Sequence, residues 1–287
     1  MQRWTMIVFG IASEAFCPPE VRGYCLTSKR WVSFKVDGIS SIEWNDTAYD
    51  RLVIAAPRKR LLKALVEEHR HQKAQTDDMI RGKGQGLILL LNGPPGTGKT
   101  LTAEAIADKL HLPLYAIDAS QLGDDIEKLE ENLRTIFRIA GTWDVVVLLD
   151  EADAFLERRS SNPEHAERNK RVAIFLRVLE YFRGILILTS NRAVEFDDAF
   201  HSRIHLTLQY PDLDHLARIE VWTNILGMAP HALTAEEIGG FAKEEMNGRQ
   251  IKNVIKMARL LAKSEGHTLN AADIRDVIGI TKETQHL

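Results

Sequence analysis

Uninterrupted apolar runs punctuate the middle of the chain. Leu87–Leu91, Leu114–Ile117, Val145–Leu149 and Ile185–Leu188 carry almost no polar side chain, and Ile204–Leu208 closes the series. Between them lie segments of helical periodicity: Lys99–Leu110, Ile126–Ala140 and Ala166–Phe182, the last with Val172, Phe175, Leu176 and Leu179 on one face. Strands that are apolar on both sides are buried on both faces, so the pattern predicts a parallel sheet with helices on each side. After Pro211 the strand pattern stops, and Leu213–Leu226, Ala235–Glu245, Arg249–Glu265 and Ala271–Ile278 read as four helices. The boundary between an α/β unit and an all-α unit is expected near Tyr210.

The N-terminal part is less regular. GYCLTSKRWVSFKVDGI reads as a hairpin about the polar turn Thr27-Ser28-Lys29. Residues 1–48 are too few to bury a core alone, so they are expected to be a flap on the main unit or the end of a larger domain. The apolar run Met6–Ala12 is short for a secretory leader, and Glu14 sits where cleavage would fall, so a buried strand is the expected reading. From Tyr49 to about Ala74 the spacing of Leu61, Leu62, Leu65 and Val66 predicts a helix, with Pro57 near its start. Arg58, Lys59, Arg60, Lys63, Arg70 and Lys73 make it basic, but Glu67 and Glu68 dilute the charge as on a solvated mixed face.

Composition narrows the class without selecting a function. Of 287 residues, 45% are hydrophobic and 27% charged, an ordinary water-soluble balance, and the net charge of −3 argues for neither a nucleic-acid nor a membrane partner. No apolar stretch reaches the ~18 to 20 residues of a membrane span. Cys17 and Cys25 are too few for a disulfide framework or a zinc cluster, which leaves free thiols and an intracellular, reducing compartment.

The chemistry concentrates where apolar runs end. After Leu91 the chain reads Asn92-Gly93-Pro94-Pro95-Gly96-Thr97-Gly98-Lys99-Thr100, and a helix follows. Two glycines five apart followed by Lys and Thr fit a phosphate-binding loop. Successive backbone N–H groups must face a polyphosphate, and side chains would block that approach. The helix beginning near Lys99 adds the positive end of its dipole. Lys99 can reach the terminal phosphates, and the Thr100 hydroxyl can hold Mg²⁺.

Two further strand ends carry polar groups. VVVLLDEAD delivers Asp150 and Glu151 from a buried strand, a costly arrangement unless a cation or water network meets the carboxylates. Asp150 suits Mg²⁺ and Glu151 suits polarising an attacking water, whereas Asp153 reads as a local helix cap. ILILTSN brings Asn191 to the same edge, where it can position water or touch the terminal phosphate.

Together these residues resemble the AAA+ ATPases. GPPGTGKT looks like their Walker A, LLDEAD their Walker B and TSN their sensor 1. The details, including FDDAFHSRIHLTLQYPD, are similar to fungal AAA proteins with a longer N-terminal region. The resemblance implies a P-loop α/β module at 49–210 with a helical lid at 211–287, and a remnant or flap at 1–48. It implies ATP and Mg²⁺, a nucleotide contact set of Gly93, Pro94, Pro95, Gly96, Thr97, Gly98, Lys99, Thr100, Leu101, Asp150 and Asn191, and an adenine pocket lined by Tyr49–Val53. It also implies a ring, usually of six copies, in which Arg203 of one subunit reaches the neighbour's terminal phosphate. Arg249, at the start of the lid helix, is the candidate second sensor. The resemblance departs at the stretch SQLGDDIEKLEENLR, which lacks the aromatic residue that grips a threaded polypeptide and carries Asp124 and Asp125 instead. Arg158 and Arg159 read equally as a solvated pair and as candidates for lining the channel or signalling between subunits. The expected activity is ATP hydrolysis that remodels a protein partner. A nucleic-acid-dependent, clamp-loader-like ATPase and a non-hydrolysing ATP-bound scaffold stay open as alternatives.

Overall fold

The computed structural model describes residues 18–72, 86–123, 125–158, 165–192 and 196–285. The apolar run Met6–Ala12, Cys17, Lys73, Asp124 and Arg159 lie outside them. Five parallel strands form the central sheet: β3 (Gly86–Asn92), β4 (Leu114–Asp118), β5 (Val146–Asp150), β6 (Gly184–Ser190) and β7 (Leu206–Gln209), in the order β4-β5-β6-β3-β7. The chain leaves β3 for the far edge, returns through β5 and β6, and places β7 on the other side of β3. Such a reversal of strand order opens a crevice at the carboxyl ends of the strands.

Side-chain alternation explains why the runs are apolar throughout. Ile88 and Leu90 of β3, Val147 and Leu149 of β5, and Leu186 and Leu188 of β6 share one core with α3 (Ile126–Trp143), α4 (Asp153–Leu156) and α5 (Ala166–Leu179). Leu87, Leu89 and Leu91, Val146 and Leu148, and Ile185 and Ile187 enter a second core with α1 (Ala56–Gln72) and α2 (Lys99–Leu110). All seven residues of β3 and of β6 are buried, as a two-sided sheet requires. A third core, around Trp222, Ile251, Ile255 and Ile274, belongs to α7 (His215–Leu226), α8 (Ala235–Phe241), α9 (Gly248–Glu265) and α10 (Ala271–Gln285). A four-residue helix α6 (Asp198–His201) precedes β7.

The expected α/β fold with C-terminal helices is present, and several boundaries differ from the sequence pattern. Tyr49–Ala55 is not helical. Tyr49 is buried and donates its hydroxyl to the Lys59 carbonyl at 2.7 Å, and the helix starts at Ala56, where Pro57 suits the first turn. β7 begins at Leu206 rather than Ile204, because the Ile204 N–H bonds back to Phe200. α5 ends at Leu179, where the Phe182 N–H turns back to the Leu179 carbonyl. α8 stops at Phe241, just after the weak helix formers Gly239 and Gly240. α3 runs on to Trp143, and α10 to Gln285, with Lys282 paired to Glu244 at 2.6 Å.

The expected hairpin is an antiparallel pair, β1 (Glu20–Cys25) and β2 (Arg30–Lys35). It docks through aromatic rings: Tyr24 lies 5.1 Å from Trp143 and 6.4 Å from Tyr115 between ring centres. Its turn carries Lys29, which bonds Gln121 beyond β4.

Candidate nucleotide site

Because the sheet is parallel, the loop after β3 and the ends of β5 and β6 emerge at one edge. Gly93 opens the loop with φ 151°, and a Cβ there would lie 2.1 Å from the Tyr210 carbonyl oxygen, so only glycine fits. Gly98 closes it at φ 103°, with no atom within 4 Å of where its Cβ would be, which leaves the mouth clear. The loop is braced internally, the Thr97 hydroxyl donating to the Pro94 carbonyl at 2.8 Å.

Lys99 is buried and donates its ammonium to the carbonyls of Gly93 at 2.6 Å and Pro94 at 2.7 Å. Burial pulls its pKa below the ordinary lysine value, the Asp150 and Asp153 carboxylates oppose that, and the Arg249 guanidinium adds to it. Thr100 is exposed at the mouth, its hydroxyl 3.4 Å from Asp150 Oδ2. A hydroxyl and a carboxylate oxygen facing one another beside a lysine and a backbone cradle form an all-oxygen donor set that fits Mg²⁺ carried on a phosphate. Leu101 is half exposed on the first turn of α2.

The acidic pair is held by β6. The Thr189 hydroxyl donates to Asp150 Oδ1 and accepts the Glu151 N–H at 3.0 Å, and the Ala152 N–H donates to the Thr189 carbonyl at 2.9 Å. Glu151 is exposed and left-handed, with φ 55°, an uncommon state for a residue with a side chain. Asp153 does not cap its helix, contrary to the sequence reading. It accepts the Ser190 hydroxyl, and its charge acts on Lys99. Asn191 lies one residue beyond β6 and is half-buried.

The C-terminal helices touch the loop directly. The Gly248 N–H donates to the Gly96 carbonyl at 2.9 Å, and a Cβ at Gly96 would meet Asn247 Oδ1 at 2.7 Å. α9 therefore starts on the phosphate loop, its capping box closed by Asn247 and Gln250, and Arg249 is exposed beside it. Tyr210 bonds the Thr102 hydroxyl at 2.8 Å, and burial pushes its phenol up to about 12. Asn224 of α7 reaches the Arg51 carbonyl at 3.0 Å, so the Tyr49–Val53 segment is tied to the C-terminal helices.

The remaining candidates lie elsewhere. Arg203 is bound to Glu180 at 2.5 Å and to the Ala199 carbonyl at 2.8 Å. Arg158 is 3.9 Å from Asp198. Asp125 caps α3 through the Glu127 N–H at 2.9 Å. Several basic residues of α1 are engaged within the chain: Arg58 bonds the Gln209 carbonyl, Lys59 those of Asp50 and Leu52, and Arg70 that of Leu110, while Lys63 is 3.9 Å from Glu67 and Arg60 is exposed.

Sequence reading assigns no site role to Asn247, to Tyr210 beyond marking a boundary, or to Thr189 and Ser190 beyond their place in TSN. Period-two counting contains the signal for Thr189. It continues the face of Ile185 and Ile187, and Asp150 continues that of Val146 and Leu148, so both point toward α2.

Comparison with known proteins bears on this geometry. The model of the family described as "ATPase family associated with various cellular activities (AAA)" matches residues 89–212. Over residues 89–212 the chain is thus similar to the AAA-family ATPase domain. The chain is similar to the ATPase family AAA domain-containing protein FIGL1 of Arabidopsis thaliana, 31% identical over 190 residues, covering 63% of this chain and 28% of that protein. Spastin of Dictyostelium discoideum is 30% identical over 176 residues, 57% of this chain and 26% of spastin. The ATP-dependent zinc metalloprotease FtsH 3 of Sphaerobacter thermophilus is 28% identical over 266 residues, 84% of this chain and 51% of that protein. The chain thus spans between about a quarter and a half of these relatives. The crystal structure of the FIGL-1 AAA domain in complex with ADP has the same fold, with a TM-score of 0.62 at 19% identity over 84% of this chain and 86% of that one. Among the described residues no helix is long and apolar enough to cross a membrane.

Proposed function

We propose that the chain binds ATP with Mg²⁺ and hydrolyses it, residues 49–210 forming the nucleotide-binding unit and 211–287 a helical lid. The carrying observation is the Thr100 hydroxyl 3.4 Å from Asp150 Oδ2 at the mouth of a glycine-built loop, with Glu151 next in sequence. In this reading the loop's N–H groups hold the phosphates, and Lys99 exchanges the Gly93 and Pro94 carbonyls for phosphate oxygens. Thr100 and Asp150 hold the Mg²⁺, which when bound neutralises charge on the phosphate oxygens. Glu151 orients and deprotonates the attacking water, and Asn191 positions it. Arg249 senses the nucleotide from the lid of the same subunit. Arg203 reaches the phosphate of a neighbour in a ring of like subunits, and must give up Glu180 to do so. The contact of Gly248 with Gly96 gives the lid a direct mechanical link to the loop, which supports lid motion as the output, delivered to a protein partner. The internal bonds of Arg58, Lys59 and Arg70 favour a protein partner over nucleic acid. The low cysteine count supports a reducing, intracellular setting.

The test is steady-state ATP hydrolysis per subunit as a function of protein concentration, with Glu151→Gln as control. A rate that rises with concentration is expected for a shared site. The variant should keep ATP binding while its turnover falls about 10²- to 10⁴-fold. Equal turnover in the variant removes the role of Glu151. Stimulation by added nucleic acid, steeply lost with salt, would replace the protein-remodelling reading with the nucleic-acid one.

A further inference from the structure

Thr189 is completely buried near the end of β6, and its one hydroxyl serves Asp150, the last residue of the neighbouring β5, and Glu151 just beyond it. A hydroxyl offers one proton and two lone pairs. The Glu151 N–H can only donate, so it occupies a lone pair, and the hydroxyl proton is committed to Asp150 Oδ1. Oδ1 being taken, Asp150 turns Oδ2 toward Thr100. The Thr189 hydroxyl oxygen, together with the Thr189 carbonyl that accepts the Ala152 N–H, anchors the backbone on both sides of the left-handed Glu151. A left-handed residue with a side chain costs roughly 1 to 3 kcal/mol and persists only where neighbours over-determine it. Valine would fill the same volume with the same strand preference. Only the hydroxyl explains a threonine at the end of the run Ile185–Leu188.

We propose that Thr189 is a positioning residue for the nucleotide-bound cation and the attacking water. It fixes the orientation of the Asp150 carboxylate so that the oxygen not bonded to Thr189 faces Thr100, and it fixes the backbone from which Glu151 projects. The proposal rests on the ATPase reading above. It assigns to β6 a role separate from that of Asn191, two residues further on: Thr189 acts through Asp150 and Glu151 and touches neither nucleotide nor water. Ser190 repeats the device one residue later by bonding Asp153 at the start of α4, so β6 holds both the end of β5 and the helix that follows it where they meet the crevice.

The experiment compares wild type, Thr189→Val and Thr189→Ser by the affinity of a fluorescent ADP analogue, with and without Mg²⁺, and by turnover. In Thr189→Val, affinity without Mg²⁺ should match wild type, because the loop is untouched. The Mg²⁺ concentration needed for half-maximal tight binding should rise about 10- to 100-fold, the usual loss when the group that orients a metal ligand is removed. kcat should fall with little change in KM, and Thr189→Ser should restore both quantities. Thr189→Ala, which only removes atoms, replaces the valine variant if that chain does not fold. If wild type responds to Mg²⁺ and the valine variant responds equally, or if serine does not rescue, the positioning role is overturned while the ATPase reading stands. A wild-type chain whose ADP affinity ignores Mg²⁺ removes both.

Discussion

The phosphate loop and the acidic strand ends sit side by side at one edge of the sheet, yet they are built by opposite means. Between Gly93 and Gly98 the working groups belong to the backbone, and the residue types are chosen for what they lack. Even Lys99 folds its ammonium onto carbonyls of that loop. At the ends of β5 and β6 the working groups are side chains, and each is positioned by a residue some 40 positions away in the chain: Asp150 and Glu151 by Thr189, Asp153 by Ser190. A backbone site is specified by a short run of sequence. A side-chain site is specified by strand pairing.

That contrast can be broken at several points. The largest effect is expected from Lys99→Ala, which removes the ammonium that the loop presents to the phosphates. ADP affinity should drop roughly 10- to 100-fold, from the loss of charge-assisted hydrogen bonds to phosphate, with thermal stability nearly unchanged, by calorimetric titration and melting. An unaltered affinity would mean that backbone groups alone hold the phosphates. Gly93→Ala comes next and acts on folding. Its Cβ would collide with the Tyr210 backbone at 2.1 Å in a conformation that side chains avoid, costing about 1 to 3 kcal/mol in denaturant unfolding. Tyr210→Phe should be the mildest, at about 1 kcal/mol, since the Thr102 hydroxyl keeps the Gly98 carbonyl as its acceptor at 3.0 Å. A larger loss from Tyr210→Phe than from Gly93→Ala would mean that side chains, not backbone fit, keep the loop in shape.

Particular elements mark how far sequence reading reaches. The span of α2, Lys99–Leu110, was legible to the residue, because a glycine start and a run of small and apolar residues are local signals. Tyr49–Ala55 was misread as helix because burial of Tyr49 and Leu52 against the second core overrides the local pattern. Asp153 read as a cap because a carboxylate at a helix start nearly always is one. That it accepts a hydroxyl from β6 depends on a strand neighbour no local pattern names. Arg203 was legible as a candidate, but its partner Glu180, 23 positions earlier, was not.

The sequence by itself determined the parallel two-sided sheet, the glycine loop with its lysine and threonine, and the acidic pair at a strand end, because each is written in contiguous residues whose spacing repeats the period of the element. Only the tertiary structure decided that β6 lies beside both β3 and β5, that Thr189 and Ser190 therefore hold the carboxylates, and that α9 begins on Gly96. Those are contacts between residues distant in the chain, chosen by burial and strand order, and hydrogen bonds of that kind leave only a single buried hydroxyl as their trace in the sequence.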